Sequence, residues 1–321
     1  MNMKTSRKLL RKLLPVLSIV LAIIIDRSIP NNELHPAVEK PYFFYFLLIV
    51  LVLYAVFFVL SFFVKSVDEN ITYKAPLYAG ATLAVNIINI VCSKLALLPV
   101  LFFPTLDKVF GVYAKDGPLL LRCIGSSFKL LIIGFLYGSV IGFVCGVLLG
   151  FSKKFNYWVM PLTKIIGPIP ATSWSPLVLS LLSTSYQAAI FMIALAVWFP
   201  VTLMTSSGIQ NVQQSYFEVS STLGAGKLYK VFKVGIPAAM PSIFLGFFYA
   251  TTSSFVTLVT AEMFGCESGL GWYLNWEKSM MLYSNVYAGL ILLAGICTLV
   301  ITLLFKVRDR LLNWQKGVIK W

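Results

Sequence analysis

Long uninterrupted apolar stretches, set apart by short polar or basic ones, dominate the pattern of this chain. They run from Leu13 to Ile25, Tyr42 to Val64, Ala75 to Leu98, Ile124 to Gly150, Tyr157 to Leu182, Ala188 to Gly208, Ala238 to Ala261 and Val286 to Phe305. A bilayer core is about 30 Å thick and holds no water to satisfy a bare backbone, so uncharged runs of about 20 residues predict membrane-spanning helices. The period-two alternation of a barrel strand is absent. The eight runs therefore predict an all-α integral membrane protein. The first run is short, and its basic entry also fits the opening of a cleaved signal peptide. The segment that follows, Asp26-Arg27-Ser28-Ile29-Pro30, lacks the small-x-small pattern of a cleavage site, so an uncleaved helix is expected.

Within this pattern the chain divides into an N-terminal hairpin with its linker (1–74), a six-helix body (75–306) and a basic tail (307–321). The polar stretch from Lys65 to Lys74 reads as the loop between hairpin and body, and the tail reads as a segment lying along the inner membrane surface. Two runs carry unusual punctuation. Gly134, Gly138, Gly142, Gly146 and Gly150 stand four apart, which leaves one helix face almost free of side chains and open to close backbone approach. That face predicts tight packing within one subunit, or else a subunit interface or a sliding surface. The next run contains Pro161, Pro168, Pro170 and Pro176, with Ser173 and Trp174 among them. Prolines remove backbone donors, and a helix broken at membrane depth is tolerated where protein or a water-filled cavity surrounds it. Ser173 and Trp174 are thus candidates for lining a solute path, beside the plain reading of a kink.

Composition sharpens the picture: 59% of residues are hydrophobic, 12% are charged and the mean hydropathy is +0.85. The net charge of +14 does not point to nucleic acid. With the N-terminus inside and sides alternating, 18 of the 26 Lys and Arg fall on one face, the positive-inside bias of a multi-spanning protein. Both termini are then expected in the cytoplasm, against anionic lipid. Cys92, Cys123, Cys145, Cys266 and Cys297 occur singly, so no metal site or disulfide framework is expected. His35, the one histidine, falls in a predicted outer loop and takes a structural reading.

The longest polar stretch between helices of the body is residues 210–237, QNVQQSYFEVSSTLGAGKLYKVFKVGIP. Its first part has helical character, Gly224 and Gly226 break it, and Lys227 to Val234 can form a second short helix ending before Pro237. The stretch Leu223 to Lys227 is not a phosphate-binding loop, because Ser221 stands where that motif needs Gly and Leu228 where it needs Ser or Thr.

The spacing of Glu218, Gly224 and Ile236-Pro237 resembles the cytoplasmic signature of permease subunits of binding-protein-dependent ABC importers. Val219 and Ser220 stand where that family carries two alanines. Further motifs resemble the nitrate, sulfonate, taurine and thiamine-precursor type. They are Pro170-Ala-Thr-Ser-Trp174-Ser-Pro176, Trp198-Phe-Pro200, Pro237-Ala-Ala-Met-Pro241 and Ala261-Glu262-Met263 with Gly269-Leu270-Gly271. The resemblance implies a six-helix permease core with the N-terminal hairpin as an addition. It implies a subunit that binds no cofactor itself, since ATP and Mg belong to a partner ATPase dimer docked on Glu218, Val219, Ser220, Gly224, Ile236 and Pro237. It also implies a second permease subunit, either a copy of this chain, as in a homodimer, or a relative, an extracytoplasmic solute-binding protein, and a bacterial or archaeal cytoplasmic membrane. The expected solute is a small organic or inorganic anion or a vitamin precursor.

For the solute path, Thr251, Thr252, Ser253 and Ser254 put a polar run inside an apolar helix, with Glu262 at its outer end. Such hydroxyls also satisfy themselves on the preceding turn. An acid near membrane depth is costly without a partner, so Glu262 is read as a gate or as a brace for the loop to Gly271. A stand-alone secondary transporter or channel is the rival reading, and would show embedded ion-binding carboxylates or paired broken helices in repeated halves, neither of which is evident. An intramembrane enzyme would need a catalytic constellation that one histidine and sparse acids do not supply.

Overall fold

The structure, a computed structural model, describes residues 3–36 and 38–313, with side chains from Lys8 onward, so the end of the predicted basic tail, residues 314–321, lies outside the described residues. The described residues are helical and connecting segments, without a strand. They form two compact units: one is the chain up to Pro118 together with Glu277–Ala288, the other Leu119–Trp276 together with the chain from Gly289 onward.

The first unit is built on α1 (Met3–Ser28), α2 (Tyr42–Phe63), α3 (Lys65–Asn89) and α4 (Leu106–Lys115). The predicted linker from Lys65 to Lys74 is instead the opening of α3, which follows α2 after the single extended residue Val64. Its charges mislead as a loop signal: Lys and Glu are good helix formers, Asp68 sits in the favourable first turn, and the ammonium of Lys12 meets the Asp68 carboxylate. At the other end of α1, Asp26 pairs with Lys94 at 3.1 Å and accepts from Asn89 Nδ2 at 3.1 Å. Lys12 thus meets the start of α3 and Asp26 its end, so α1 and α3 run parallel. Both partners of the second pair are buried, and removing either one leaves an unpaired buried charge. Ala22, Phe43 and Leu47 form the apolar core between α1 and α2. His35 has the expected structural role, buried with Nε2 donating to the Cys92 carbonyl at 2.7 Å.

Asn285 closes the first unit by donating through Nδ2 to Asp116 Oδ2 and to Glu277 Oε2, both at 3.0 Å. Two carboxylates share one amide there. Burial first, and the Asp116 charge second, push the Glu277 carboxyl above its ordinary range.

The second unit contains nearly all of α5 (Gly117–Phe151), then α6 (Lys153–Ile166), α7 (Ser175–Leu181), α8 (Ser185–Gln210), α9 (Gln214–Thr222), α10 (Lys227–Tyr229) and α11 (Ile236–Gly265), and the larger parts of α12 (Leu270–Ser279) and α13 (Tyr283–Leu311), whose residues within Glu277–Ala288 belong to the first. The glycine stripe of α5 lies against α8. A Cβ on Gly134, Gly142, Gly146 or Gly150 would come within 2.6 to 3.0 Å of the Cβ of Ile193, Val201, Thr205 or Ile209 respectively, and Gly138 faces Ala194 and Val197 in the same way. The facing residues on α8 are also four apart, and Thr202 donates across to the Gly142 carbonyl at 3.2 Å. Both series ascend together, so α5 and α8 run parallel over about 24 Å. The chain must therefore cross back between Phe151 and Ser185. It does so in pieces: α6, a 3-10 turn at Ala171–Trp174, and α7, with Pro168, Pro170 and Pro176 at the breaks and Pro161 inside α6. On α8, Gly208 meets Ala239 and Ser242 while Pro200 and Val201 meet Gly246, so α11 packs antiparallel to it.

Among the described residues, six helices are long and apolar enough to span a membrane: Tyr42–Phe63, Lys65–Lys94, Gly117–Phe151, Ser185–Gln210, Lys227–Gly265 and Tyr283–Leu311. Two of the eight predicted runs are missing from this set. Leu13 to Ile25 is the apolar half of the basic helix α1, and Tyr157 to Leu182 is the broken crossing.

Candidate functional site

The stretch 210–237 folds into a projecting helix and a sharp turn. In α9, Glu218 and Val219 are exposed, and Ser220 is buried with its Oγ donating to the Phe217 carbonyl at 2.9 Å. Gly224 ends the helix at φ +79°, a left-handed conformation that glycine adopts without strain. The Gly224 amide donates to the Ser221 carbonyl at 3.0 Å, and the Ala225 amide to the Ser220 carbonyl at 2.9 Å. This is the Schellman arrangement that satisfies the last carbonyls of a helix. Lys230 Nζ donates to Ser221 Oγ at 2.6 Å and ties the helix that follows the turn to α9. Phe151, at the end of α5, meets the Phe217 ring edge-on at 6.0 Å and packs on Gly235.

The second short helix predicted to end before Pro237 does not end there. Residues 227–265 are one continuous helix, with a π turn at Lys230–Gly235 just before Ile236, which is half-buried, and Pro237, which is exposed. A regular α turn would press the Pro237 ring into the Lys233 carbonyl, and the wider turn makes room for it. Apolar side chains surround the Gly224 turn and face outward: Leu223 is 81% exposed, with Val219, Leu228, Tyr229 and Phe232 also exposed.

A cavity of about 470 Å³ lies between the broken crossing, α8 and α11. Thr252 and Ser253 line it with Thr172, Trp198, Phe199 and Tyr249, and none of its lining residues is charged. The other two hydroxyls of the run face the core: Thr251 donates to the Phe247 carbonyl at 2.8 Å and Ser254 to the Thr251 carbonyl at 2.7 Å. Ser173 is exposed and Trp174 packs on the core, so neither lines this cavity; their neighbour Thr172 does. Trp198 and Tyr249 enter as aromatic walls, and the Trp-Phe-Pro triplet was the signal for the first of them. A second cavity, of about 390 Å³, is lined by Ser126, Lys129, Thr184, Ser185, Glu267 and Ser268.

Glu262 lines neither cavity and is 1% exposed. Its Oε1 accepts from Ser127 Oγ at 2.7 Å and its Oε2 from the Gly271 amide at 2.7 Å, while Ser127 Oγ accepts from the Leu270 amide at 2.8 Å. The carboxylate thereby satisfies the amino end of α12, where negative charge is favoured. Gly269, at φ +139°, and Gly271 both press so close to Glu262 that neither has room for a Cβ. Of its two readings, gate and brace, this geometry is that of a brace.

The family described as binding-protein-dependent transport system inner membrane component matches residues 138–313, more than half of the chain. The chain belongs to this family. The match takes in the glycine-lined α5–α8 contact from Gly138 onward, the broken crossing, the Gly224 turn and the Glu262 brace. Among relatives, SsuC of Bacillus subtilis (strain 168), named as an aliphatic sulfonates transport permease protein, is 31% identical over 185 residues, covering 58% of this chain and 67% of SsuC. The nitrate import permease protein NrtB of Leptolyngbya laminosa is 29% identical over 174 residues, 52% of this chain and 62% of NrtB. The taurine transport system permease protein TauC of Escherichia coli (strain K12) is 23% identical over 264 residues, 78% of this chain and 96% of TauC. A chain of the inward-facing MetNI methionine ABC transporter shares the fold, with a TM-score of 0.53 at 21% identity over 61% of this chain and 98% of that one. The relatives named here are transport permeases, and the family is one of multi-pass membrane proteins.

Proposed function

We propose that this chain is the membrane-spanning subunit of an ATP-driven importer, coupled to a separate ATPase through residues 210–237. The observation that carries the reading is the Gly224 turn: a projection closed by two backbone hydrogen bonds, with exposed apolar side chains around it. Exposed apolar groups at the tip of a polar stretch are costly in water and suit a partner's cleft. Glu218 offers that partner an exposed carboxylate beside them.

Because residues 227–265 are one helix, a push on the turn reaches the wall of the cavity formed by Thr252 and Ser253 without passing through a flexible joint. Closure of an ATPase dimer on two copies of this chain would thereby alternate access to the path between them. ATP and Mg are used by the ATPase. The solute, delivered by an external binding protein, is a small anion or vitamin precursor, in line with the sulfonate, nitrate and taurine relatives. The orientation that fits the distribution of Lys and Arg puts both termini and the turn in the cytoplasm of a bacterial or archaeal cell.

Affinity purification of the tagged chain from its native membrane, with mass spectrometry of what accompanies it, tests the assignment. An ATPase subunit is expected in the eluate and is expected to be lost on Gly224→Trp. Full transport by that variant, or transport with no ATPase recovered, would replace this reading with a stand-alone transporter.

A further inference from the structure

Helices α1 to α3, outside the stretch matched by the family, enclose a cleft that the importer reading does not use. It has a volume of about 500 Å³ and is walled by α2 and α3, with Pro15 and Ile19 of α1 as its floor. Ile19 is 2% exposed, and Tyr54, on the α2 wall, is fixed by its hydroxyl donating to the Lys12 carbonyl at 2.8 Å. Along α3 the lining runs from Ser66 to Thr82, about 24 Å at the rise of an α-helix and longer than the roughly 15 Å hydrocarbon depth of one leaflet. Most of the wall is apolar, as with Val50, Leu53 and Phe57; Ser66 and Asn70 lie near the junction of α2 and α3, and Thr82, at the far end, spends its hydroxyl on the Tyr78 carbonyl at 2.9 Å.

Charge gathers at that same end. Lys65 immediately precedes the lining residue Ser66 and is exposed. Lys8 lies one turn before Lys12 on the same face of α1, and Arg11 is adjacent to Lys12; both are exposed. Lys12 itself is neutralised by Asp68 and donates to Ser61 Oγ at 3.1 Å. Lys8, Arg11 and Lys65 have no ion-pair partner among the described residues, and Glu69, the other acid of that turn, does not line the cleft.

We propose that the cleft seats an acyl chain of an anionic phospholipid, with its headgroup phosphate held by Lys8, Arg11 and Lys65. An apolar slot longer than one leaflet takes the chain, polar side chains at its mouth take the glycerol region, and three unpaired cations above them favour a negative headgroup over a zwitterionic one. A protein helix would fill the apolar slot equally well and would leave those cations unanswered.

The test uses the full chain, purified in mild detergent, delipidated, and offered palmitoyl-oleoyl phosphatidylglycerol or phosphatidylcholine, with bound lipid counted by native mass spectrometry. One phosphatidylglycerol should be retained in preference to phosphatidylcholine by at least about tenfold. Replacing Lys8, Arg11 and Lys65 together by Gln should reduce that preference about tenfold while leaving the melting temperature of the lipid-free protein in place. Ala81→Trp, which fills the slot, should remove both lipids; Leu53→Trp, on the opposite wall, serves if that variant does not fold. Equal retention of the two lipids by the unmodified chain, or phosphatidylglycerol binding that survives the slot-filling variant, would overturn the proposal.

Discussion

Glu262 shows how far a residue's role depends on partners remote in sequence. An acid in an apolar run, followed by a glycine-rich loop, is compatible with a gate, and nothing local names Ser127, 135 positions away, as its partner. In the fold, two hydrogen bonds hold this carboxyl group, and its removal strands the donors it satisfies. Glu262→Gln keeps only one of the two acceptor oxygens, so either the Ser127 hydroxyl or the Gly271 N–H faces an NH2 group, and a loss of about 1 to 3 kcal/mol is expected, read as a lower melting temperature of the purified protein. A variant of full stability that fails only in transport would restore the gating role. Glu277 makes a different prediction. Its carboxyl is raised by burial and then by Asp116, so the folded chain holds this proton more tightly than the unfolded chain does. The stabilising contribution is then present at low pH and is lost as pH rises through the folded value, above the ordinary 4.5. Asp116→Asn should flatten this dependence, measurable as the change of melting temperature with pH.

Helices show what one-dimensional patterns carry and what they omit. The four-residue glycine spacing in α5 announces a bare face, and α8 fills it with β-branched residues at the same spacing, a match invisible in either helix alone. Gly138→Ala would force a Cβ into Val197 and the α8 backbone, and a loss of about 1 to 3 kcal/mol is expected. Gly125→Ala, in the same helix but with nothing within 4 Å, should instead be neutral or gain about 0.5 to 1 kcal/mol of helix propensity. Thermal unfolding of the two variants side by side distinguishes a packed stripe from a general intolerance of substitution. The Gly224 turn was legible because a positive φ leaves a strong residue signature. The opening of α3 and the helix running through Ile236-Pro237 were not. In both, a local signal for interruption, charge in one case and proline in the other, is overridden: by the Asp68–Lys12 pair and by a π turn.

At the scale of the molecule, apolar run length located every long span, since the bilayer imposes it regardless of tertiary contacts. The same measure passes over the broken crossing, whose existence follows instead from the parallel order of α5 and α8. That order places the two ends of the intervening segment on opposite sides of the membrane. With the native cysteines replaced, Lys153→Cys and Thr184→Cys should therefore react with a membrane-impermeant thiol reagent from opposite faces of sealed vesicles. Labelling of both from one face would refute the parallel packing.

The join between α2 and α3 has a consequence for biogenesis. Val64 alone separates two helices that each meet the criteria for a span, which is too little chain for either to be released into lipid while the other is still being made. The pair is expected to leave the translocation machinery as one preassembled hairpin, with Lys65 and Asp68 carried at its tip. The partner that neutralises Asp68, Lys12, belongs to α1 and is synthesised before either helix of the hairpin. The order of synthesis thus supplies the counter-charge before the acid that needs it arrives.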